Sequence, residues 1–468
     1  MEVLLLTPPH VAADCNPYSR TGAILPPLGL LYLAAYLLRE RPDCSVRVID
    51  AASHAMTDAE FRRRLGAYQP ALVGMTVYTT SFSRSLNAAR HIKELFPKTV
   101  LVAGGPHPTI RPHELLESPH FDMAVVGEGE EPLVQIVDRL ANGDSYDGVP
   151  GLVYWKDGAL VTSNAARSRL DPDKLPMPAR DLVDMSMYRP AYGVFRRLPA
   201  TNMITTRGCA FRCSFCSKSI FGSKVRYLSP ERVMVEIHTL VRDYQIREIC
   251  FNDDSFTMHR GRTEAICDLI RASGLDLTWT CNTRVNLVRP DLLARMRASG
   301  CTSVGYGIES GNEAVLATIS KGISLDAARD AVRWTQDAGI EARASFILGL
   351  PGETRETINQ TLAFSHALNA DFVIYNVAIP IPGTGVYEDA KQRGLLLCDG
   401  TELYDTMDTH ALIRLSDTAP DELLALHRSA YKAYYLRPAY VARRLRAIRS
   451  RDDLKRLAGG FLRFMGWA

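Results

Sequence analysis

The chain has 468 residues, 46% hydrophobic and 23% charged, which suits two or three packed domains rather than a disordered or fibrous protein. Its 55 basic and 52 acidic residues nearly cancel to a net +3, which excludes the broad basic surface of a nucleic-acid binder. No run approaches the roughly 18 apolar residues of a spanning helix, and MEVLLLTPPH is too short and proline-broken for a secretory signal. Cys15, Cys44, Cys250, Cys267, Cys281, Cys301 and Cys398 are scattered through apolar or mixed segments, as thiols are in a reducing cytoplasm.

Residues 1–150 alternate buried strands with helices. EVLLLTPP, VRVIDAAS, ALVGMTVYTT, TVLVAGGPHPT and the start of DMAVVGEGEEPLVQIVDRLANG read as five strands. LGLLYLAAYLLRER, a segment from about Ser83 to Phe96 and the stretch after Gly129 read as helices. β-branched runs between helices predict a doubly wound parallel sheet. Its ligands sit beyond the carboxyl ends of the strands, which brings Thr7-Pro8-Pro9, Tyr78 to Phe82, Gly104-Gly105-Pro106-His107 and Gly127 to Glu130 around one crevice. No G-x-G-x-x-G follows the first strand, so a nicotinamide cofactor is disfavoured. His107, between two prolines, reads as exposed: either a ligand contact or a turn histidine bonding nearby backbone. Glu128 and Glu130 read as first-turn carboxylates complementing a helix dipole.

Residues 151–200 form a bridge: a hairpin turning at Lys156-Asp157-Gly158, then a linker punctuated by Pro172, Pro176, Pro178, Pro190 and Pro199.

In 201–217, TNMITTRGCAFRCSFCS, a strand leads into Cys209, Cys213 and Cys216. Bridges inside so small a loop would be strained. A structural zinc takes four ligands and no fourth follows at finger spacing, although a zinc knuckle or three incidental buried thiols stay open as bland readings. An iron–sulfur cluster on three thiolates would leave one iron free for a small molecule.

Six strand–helix units then run from 201 to about 390, with strands at Met203–Thr206, Glu248–Asn252, Leu277–Asn282, Ser303–Ile308, Ala342–Leu348 and Phe372–Ala378. Polar residues collect at their carboxyl ends, where parallel barrels do chemistry. Asp253 and Asp254 follow the second strand and need a cation or donors, or serve as an Asx turn or cap. Arg284 follows the third strand, Glu309 the fourth, with Lys321 beyond it. Ser345 lies in the fifth, followed by Glu353 and Thr354 at a helix start. Asp399, Glu402, Asp405 and Asp408 could receive an amino sugar or simply lie in water. From Pro420 onward the chain reads as helical and basic, a solvated capping face or one that lies on a membrane or partner.

The cysteine segment resembles the radical SAM superfamily, whose signature is C-x3-C-x-aromatic-C, with Phe215 in the aromatic place. The resemblance implies a four-iron cluster on Cys209, Cys213 and Cys216 whose open iron chelates the amino and carboxylate groups of S-adenosylmethionine (SAM). It puts Asp253 and Asp254 beside the SAM amino group and Arg284 toward its carboxylate or the substrate. It puts Glu309 near the ribose or methionine end and the Arg343 to Thr354 segment, with Ser345, against adenine. Ile379 to Thr384 resembles the family's P-x-P-G-T turn. Residues 1–150 resemble the cobalamin-binding domain that precedes many such barrels, which makes Tyr78, Gly104, Gly105 and His107 candidate cofactor contacts. The chain lacks D-x-H-x-x-G, so either cobalamin binds without a histidine under cobalt or the fold persists without the cofactor.

The expected architecture is therefore α/β. A cobalamin-binding-like doubly wound domain (1–150) and a linker (151–200) precede a partial (β/α)6 barrel (201–390) and a helical segment (391–468). The activity implied is reductive cleavage of SAM to a 5′-deoxyadenosyl radical that abstracts hydrogen from a small-molecule C–H, for cobalamin-dependent methylation of carbon. Cobalamin-independent dehydration, elimination or rearrangement, for example of a diol in an amino sugar, is the alternative. The partners implied are a small-molecule substrate and a one-electron donor such as flavodoxin or ferredoxin, in the cytoplasm.

Overall fold

The computed structural model describes residues 1–9, 24–163, 170–190, 194–406, 410–415, 417–448, 454 and 457–459. Cys15, Asp408, Asp452, Asp453 and the terminal FLRFMGWA lie outside them.

The first sheet is built from β1 (Glu2–Thr7), β2 (Ser45–Asp50), β3 (Leu72–Thr76), β4 (Val100–Gly104) and β5 (Met123–Val125), all parallel, in the order β2-β1-β3-β4-β5. The strand order reverses between β1 and β3, so the crevice opens there. The apolar runs fill both faces of this sheet, as a parallel sheet covered on two sides requires. The hairpin expected in the bridge forms as β6 (Leu152–Lys156) and β7 (Ala159–Thr162), but β6 pairs antiparallel with β5 and extends the first sheet rather than the linker.

Around this sheet, α1 (Leu28–Glu40) and α3 (Phe82–Leu95) stand where expected. A helix not anticipated, α2 (Asp58–Leu65), starts at a capping box in which Thr57 and Glu60 satisfy each other's backbone donors. GGPHPT, expected as a turn, continues into two short helices, α4 (Pro106–Ile110) and α5 (Pro112–Leu116). α6 (Glu130–Asn142) follows β5.

The second sheet is a six-stranded parallel array in the order β15-β14-β13-β12-β11-β8. Its strands are β8 (Ala200–Met203), β11 (Glu248–Phe251), β12 (Thr278–Thr283), β13 (Cys301–Glu309), β14 (Glu341–Leu348) and β15 (Phe372–Val377). They follow the expected strands closely and leave the barrel open between β8 and β15. Between them run α7 (Pro230–Tyr244), α8 (Arg260–Ser273), α9 (Pro290–Ala298), α10 (Glu313–Thr318), α11 (Leu325–Asp337) and α12 (Arg355–Leu368). Outward residues such as Trp279, Tyr306 and Phe346 form the core against these helices.

Beyond the barrel, α13 (Gly385–Gln392) and α14 (Gly400–Thr406) return to the first domain: Tyr387, Leu403, Tyr404 and Leu412 belong to its core. α15 (Pro420–Tyr435) and α16 (Pro438–Arg446) cover the open edge. The Tyr435 hydroxyl accepts from Val373 N at 2.9 Å and donates to Val373 O at 2.7 Å, and Tyr431 treats Tyr375 likewise at 3.1 and 2.9 Å. Two phenols one helical turn apart thus replace a missing strand. Part of the basic tail is internal too: Arg444 is buried on Glu341, and Arg443 donates to Asn369 O and Ala370 O. The expected solvated or docking face therefore loses these two cations. Removing both hydroxyls (Tyr431→Phe with Tyr435→Phe) should lower stability by about 1–3 kcal/mol per site, read as a fall in denaturation midpoint. An unchanged midpoint would show that water serves this edge equally well.

Candidate active site at the barrel mouth

The cysteines sit on the loop between β9 (Thr206–Arg207) and β10 (Arg226–Tyr227), a short antiparallel pair. The loop starts at Gly208, whose φ of +96° and closeness to Lys224 O (2.7 Å from a would-be Cβ) admit only glycine. Cys209 N donates to Gly222 O at 3.3 Å and Ser214 N to Ile319 O at 3.0 Å, while Ser214 O accepts from Val386 N at 3.0 Å. Phe211 lies 3.8 Å under the Arg284 guanidinium, and Phe215 lies 5.4 Å from Lys321 Nζ, packing beside Leu316 and Ile319. The loop is therefore fixed from both sides with its sulfurs outward: Cys209 and Cys213 are half-buried and Cys216 is exposed.

Although Cys216 has an exposed face, desolvation by the loop packed around it, with Asp254 nearby, pushes its thiol up to about 11, and burial raises Cys209 as well. These sulfurs become thiolates when a metal centre takes the proton's place. Among the described residues no three Cys, His, Asp or Glu side chains converge as ligands of a single ion. A four-iron cluster spreads its thiolates over separate irons, so the donor set and the loop fit it.

The two adjacent acids separate in role. Asp253 is buried and accepts from Thr205 N at 2.5 Å, Thr205 Oγ1 at 2.5 Å and Thr206 N at 3.0 Å. It is a staple joining β11 to the β8–β9 turn and has no face left for a SAM ammonium, which corrects that expectation. Asp254 is exposed beside Cys209 and Cys216, its acid strength lowered by burial and restored in part by Lys218. Arg284 also differs from expectation: it is buried, donating to Cys213 Sγ at 3.3 Å and to Lys321 O, so it braces the cysteine loop instead of reaching into the open mouth.

Glu309 ends β13 at a register shift, with φ +74°, a strained conformation for a side chain with a Cβ. Its carboxylate is buried against Lys321 Nζ at 2.7 Å. The residue expected near the SAM ribose or methionine end is therefore paired with the loop lysine. Ser345 is half-buried, facing inward, with its hydroxyl 3.5 Å from Tyr306 O. Thr354 caps α12 as expected, while Glu353 turns back to Gly349 N and Leu350 N at 2.7 and 2.9 Å, its acid pushed up to about 7 by burial. Asp399 is taken by Tyr387 and Lys391, and Glu402 and Asp405 are exposed on α14.

In the first domain Tyr78 is 53% exposed at the reversal of strand order, and Gly104 has open space where a Cβ would be. Gly105, at φ +100°, lets the next turn fold onto Val77. Thr7, Asp50 and Tyr188 form a buried hydrogen-bonded set behind them. His107 is fully buried, 3.3 Å from Thr79 Oγ1 and 3.5 Å from Glu114, with its ring tilted against Phe82 and edge-on to Tyr404. The expectation of an exposed histidine fails because α4 carries it inward and α14 closes over it. Glu128 and Glu130 are likewise no mere helix-dipole partners. Arg207 reaches both at 2.6 Å, and Arg226 also holds Glu128. These two arginines, which the sequence did not single out, tie the cysteine hairpin to the loop after β5. Open space at the reversal, an exposed ring and the absence of an inward side chain at Gly104 suit a flat macrocycle laid on the strand ends.

A doubly wound sheet facing a six-stranded open barrel, joined where a three-cysteine loop leaves the first barrel strand, defines a cluster enzyme with a second cofactor-binding layer. Residues 203–365 match the radical SAM superfamily model and 19–137 the B12 binding domain model. An uncharacterised methyltransferase of Pyrococcus horikoshii is 36% identical over 440 residues, 94% of this chain and 93% of that one. The chain belongs to the radical SAM superfamily, in the branch that carries a B12-binding domain, and its cofactors are a [4Fe–4S] cluster, SAM and cobalamin. In fold it is similar to the radical SAM methyltransferase TsrM of Kitasatospora setae, at TM-score 0.70 and 20% identity over 94% of this chain and 89% of that one. It is also similar to the cobalamin-dependent SAM radical enzyme OxsB, at TM-score 0.74 and 17% identity over 98% and 72%. Among the described residues no helix is long and apolar enough to cross a membrane.

Proposed function

We propose that this enzyme methylates a carbon centre of a small molecule, as a cytoplasmic protein served by a one-electron donor of the flavodoxin or ferredoxin type. The cluster, SAM and cobalamin, when bound, supply hydrogen abstraction from an unactivated carbon and a methyl group for it. The chain's own residues hold and shield that chemistry. Cys209, Cys213 and Cys216 bind the cluster and Phe215 packs their loop. Arg284 lies against the Cys213 sulfur, and Asp254 offers a carboxylate to an ammonium at the mouth. Glu309, with Lys321, and Ser345 border the SAM side of the well. Tyr78, Gly104 and Gly105 form the seat for the corrin, and the first domain excludes water from the mouth. His107 lies behind that seat, bonded to Thr79 and packed by Phe82 and Tyr404.

The observation that carries this reading is the joint between Arg207 and Glu128/Glu130, which binds the cysteine hairpin directly to the strand-end crevice. Anaerobic reconstitution with iron, sulfide and hydroxocobalamin should give a protein that retains corrin absorbance stoichiometrically and forms 5′-deoxyadenosine from SAM and a low-potential reductant. A protein that forms 5′-deoxyadenosine but retains no corrin would move the reaction to elimination or rearrangement.

A further inference from the structure

The interior of the barrel contains a cation that the cofactor chemistry leaves unused. Arg343, third residue of β14, is only 8% accessible. Its Nη2 donates to Cys281 O and to Asn282 Oδ1, each at 3.2 Å. Its Nε is sealed without an acceptor, and the carboxylate that acts on it, Glu341, does so without a direct hydrogen bond to it. Glu341, two residues earlier, is already held by Arg444 at 3.0 Å and Arg196 at 3.4 Å. A guanidinium stays charged in proteins, so burying a third one around a single shared carboxylate is costly unless something else brings negative charge.

The surroundings keep space free for that charge. Arg343 is in register with Gly305, and Gly305 with Asn282. A Cβ at Gly305 would lie 3.2 Å from the guanidinium and collide with the Asn282 amide. One layer up, Ser345 is level with Gly307 and Ile374. Asn252, Asn282 and Ile374 are exposed and Ser345 and Asn376 half-buried, so the well is open down to the layer of Arg343. That layer is two residues, about 7 Å of strand, below Arg284, which touches the cysteine loop.

We propose that Arg343, with the Asn282 amide, binds an anionic group of the substrate, a carboxylate or phosphate ester, at the floor of the barrel. This rests on the enzymatic reading above and narrows the substrate to an acid. A planar fork of donors suits either oxyanion.

The test uses the reconstituted full-length protein, with inorganic phosphate and acetate as probes and SAM as the competing source of a carboxylate. In calorimetric titrations Arg343→Gln should weaken phosphate or acetate binding at least tenfold, Arg343→Lys should recover part of it, and SAM affinity should stay within twofold. A tenfold loss of SAM affinity in Arg343→Gln would give the site to the cofactor and overturn the proposal. So would equal anion binding by the wild type and Arg343→Gln, or no binding by the wild type. Arg343→Met supplies the folding control: a melting temperature equal to or above the wild type fits a charge kept for binding, and a fall of several degrees would make it structural. Failure of the wild type to form 5′-deoxyadenosine would sink the enzymatic reading separately, without touching the anion titrations.

Discussion

Cys213→Ala is expected to abolish cluster assembly and, with it, all formation of 5′-deoxyadenosine from SAM. Cys213 is the middle sulfur of the loop, half-buried under Arg284 with Sγ 3.3 Å from Nη1. Its neighbours cannot compensate. Cys209 and Cys216 are fixed by a backbone stapled to Gly222, Ile319 and Val386, and the remaining described cysteines other than Cys398 are buried in the cores. Two thiolates in the absence of a third do not retain a four-iron cluster under turnover, and no side chain can replace the electron the cluster delivers. The loss should be total rather than graded, and it should be accompanied by the disappearance of the reduced-cluster EPR signal. Cys44→Ala, in the core of the first sheet, should keep both iron and product. A Cys213→Ala protein that still binds a cluster and cleaves SAM would remove the assignment of this loop.

What was legible in the sequence was what local chemistry decides. Unbroken β-branched runs fixed the strands because a strand buried on both faces has no polar alternation to confuse it. Three cysteines in one loop pointed to a metal centre by spacing, and their resemblance to the radical SAM signature made it a four-iron cluster. Thr57 and Glu60 carried an equally local signal, a capping box, and its presence explains the helix at Asp58 that the polar FRRRL segment obscured. The misreadings of charged and polar groups mostly concern residues whose partner is distant in sequence. Asp253 and Asp254 look equivalent until Thr205, 48 residues earlier, claims the first. His107 looked exposed because its flanking prolines suggest a turn, whereas Tyr404 and Phe82 close over it. The tail's arginines looked like a surface charge because Glu341 lies 103 residues before Arg444. Burial pairs such groups by topology, and nothing in their immediate neighbours encodes the match.

The same reasoning makes Arg207 the second site of large expected effect. Glu128 and Glu130 obey the local rule that carboxylates favour a helix start, yet both are buried, and 77 residues separate Glu130 from the guanidinium that neutralises it. Arg207 is also flanked by Tyr32 and Phe221, whose rings lie 5.5 and 5.1 Å from it. In Arg207→Ala, Arg226 still holds Glu128, but Glu130 is left as a buried carboxylate facing a cavity. Breaking a buried ion pair from one side costs about 3–5 kcal/mol, mostly as the penalty of the charge left behind. Arg207→Ala should therefore melt well below the wild type. Arg207→Lys should recover little, because one ammonium cannot fork to two carboxylates. Arg207→Met combined with Glu130→Gln should recover more, since it removes the stranded charge while filling the space. The joint also sets the position of the cysteine hairpin relative to the crevice, so surviving Arg207→Ala protein should form more 5′-deoxyadenosine per methylated product than the wild type. Equal melting temperatures for the wild type and Arg207→Ala would mean that the two halves are held by other contacts, with the α13–α14 return across the first domain as the element left to carry them.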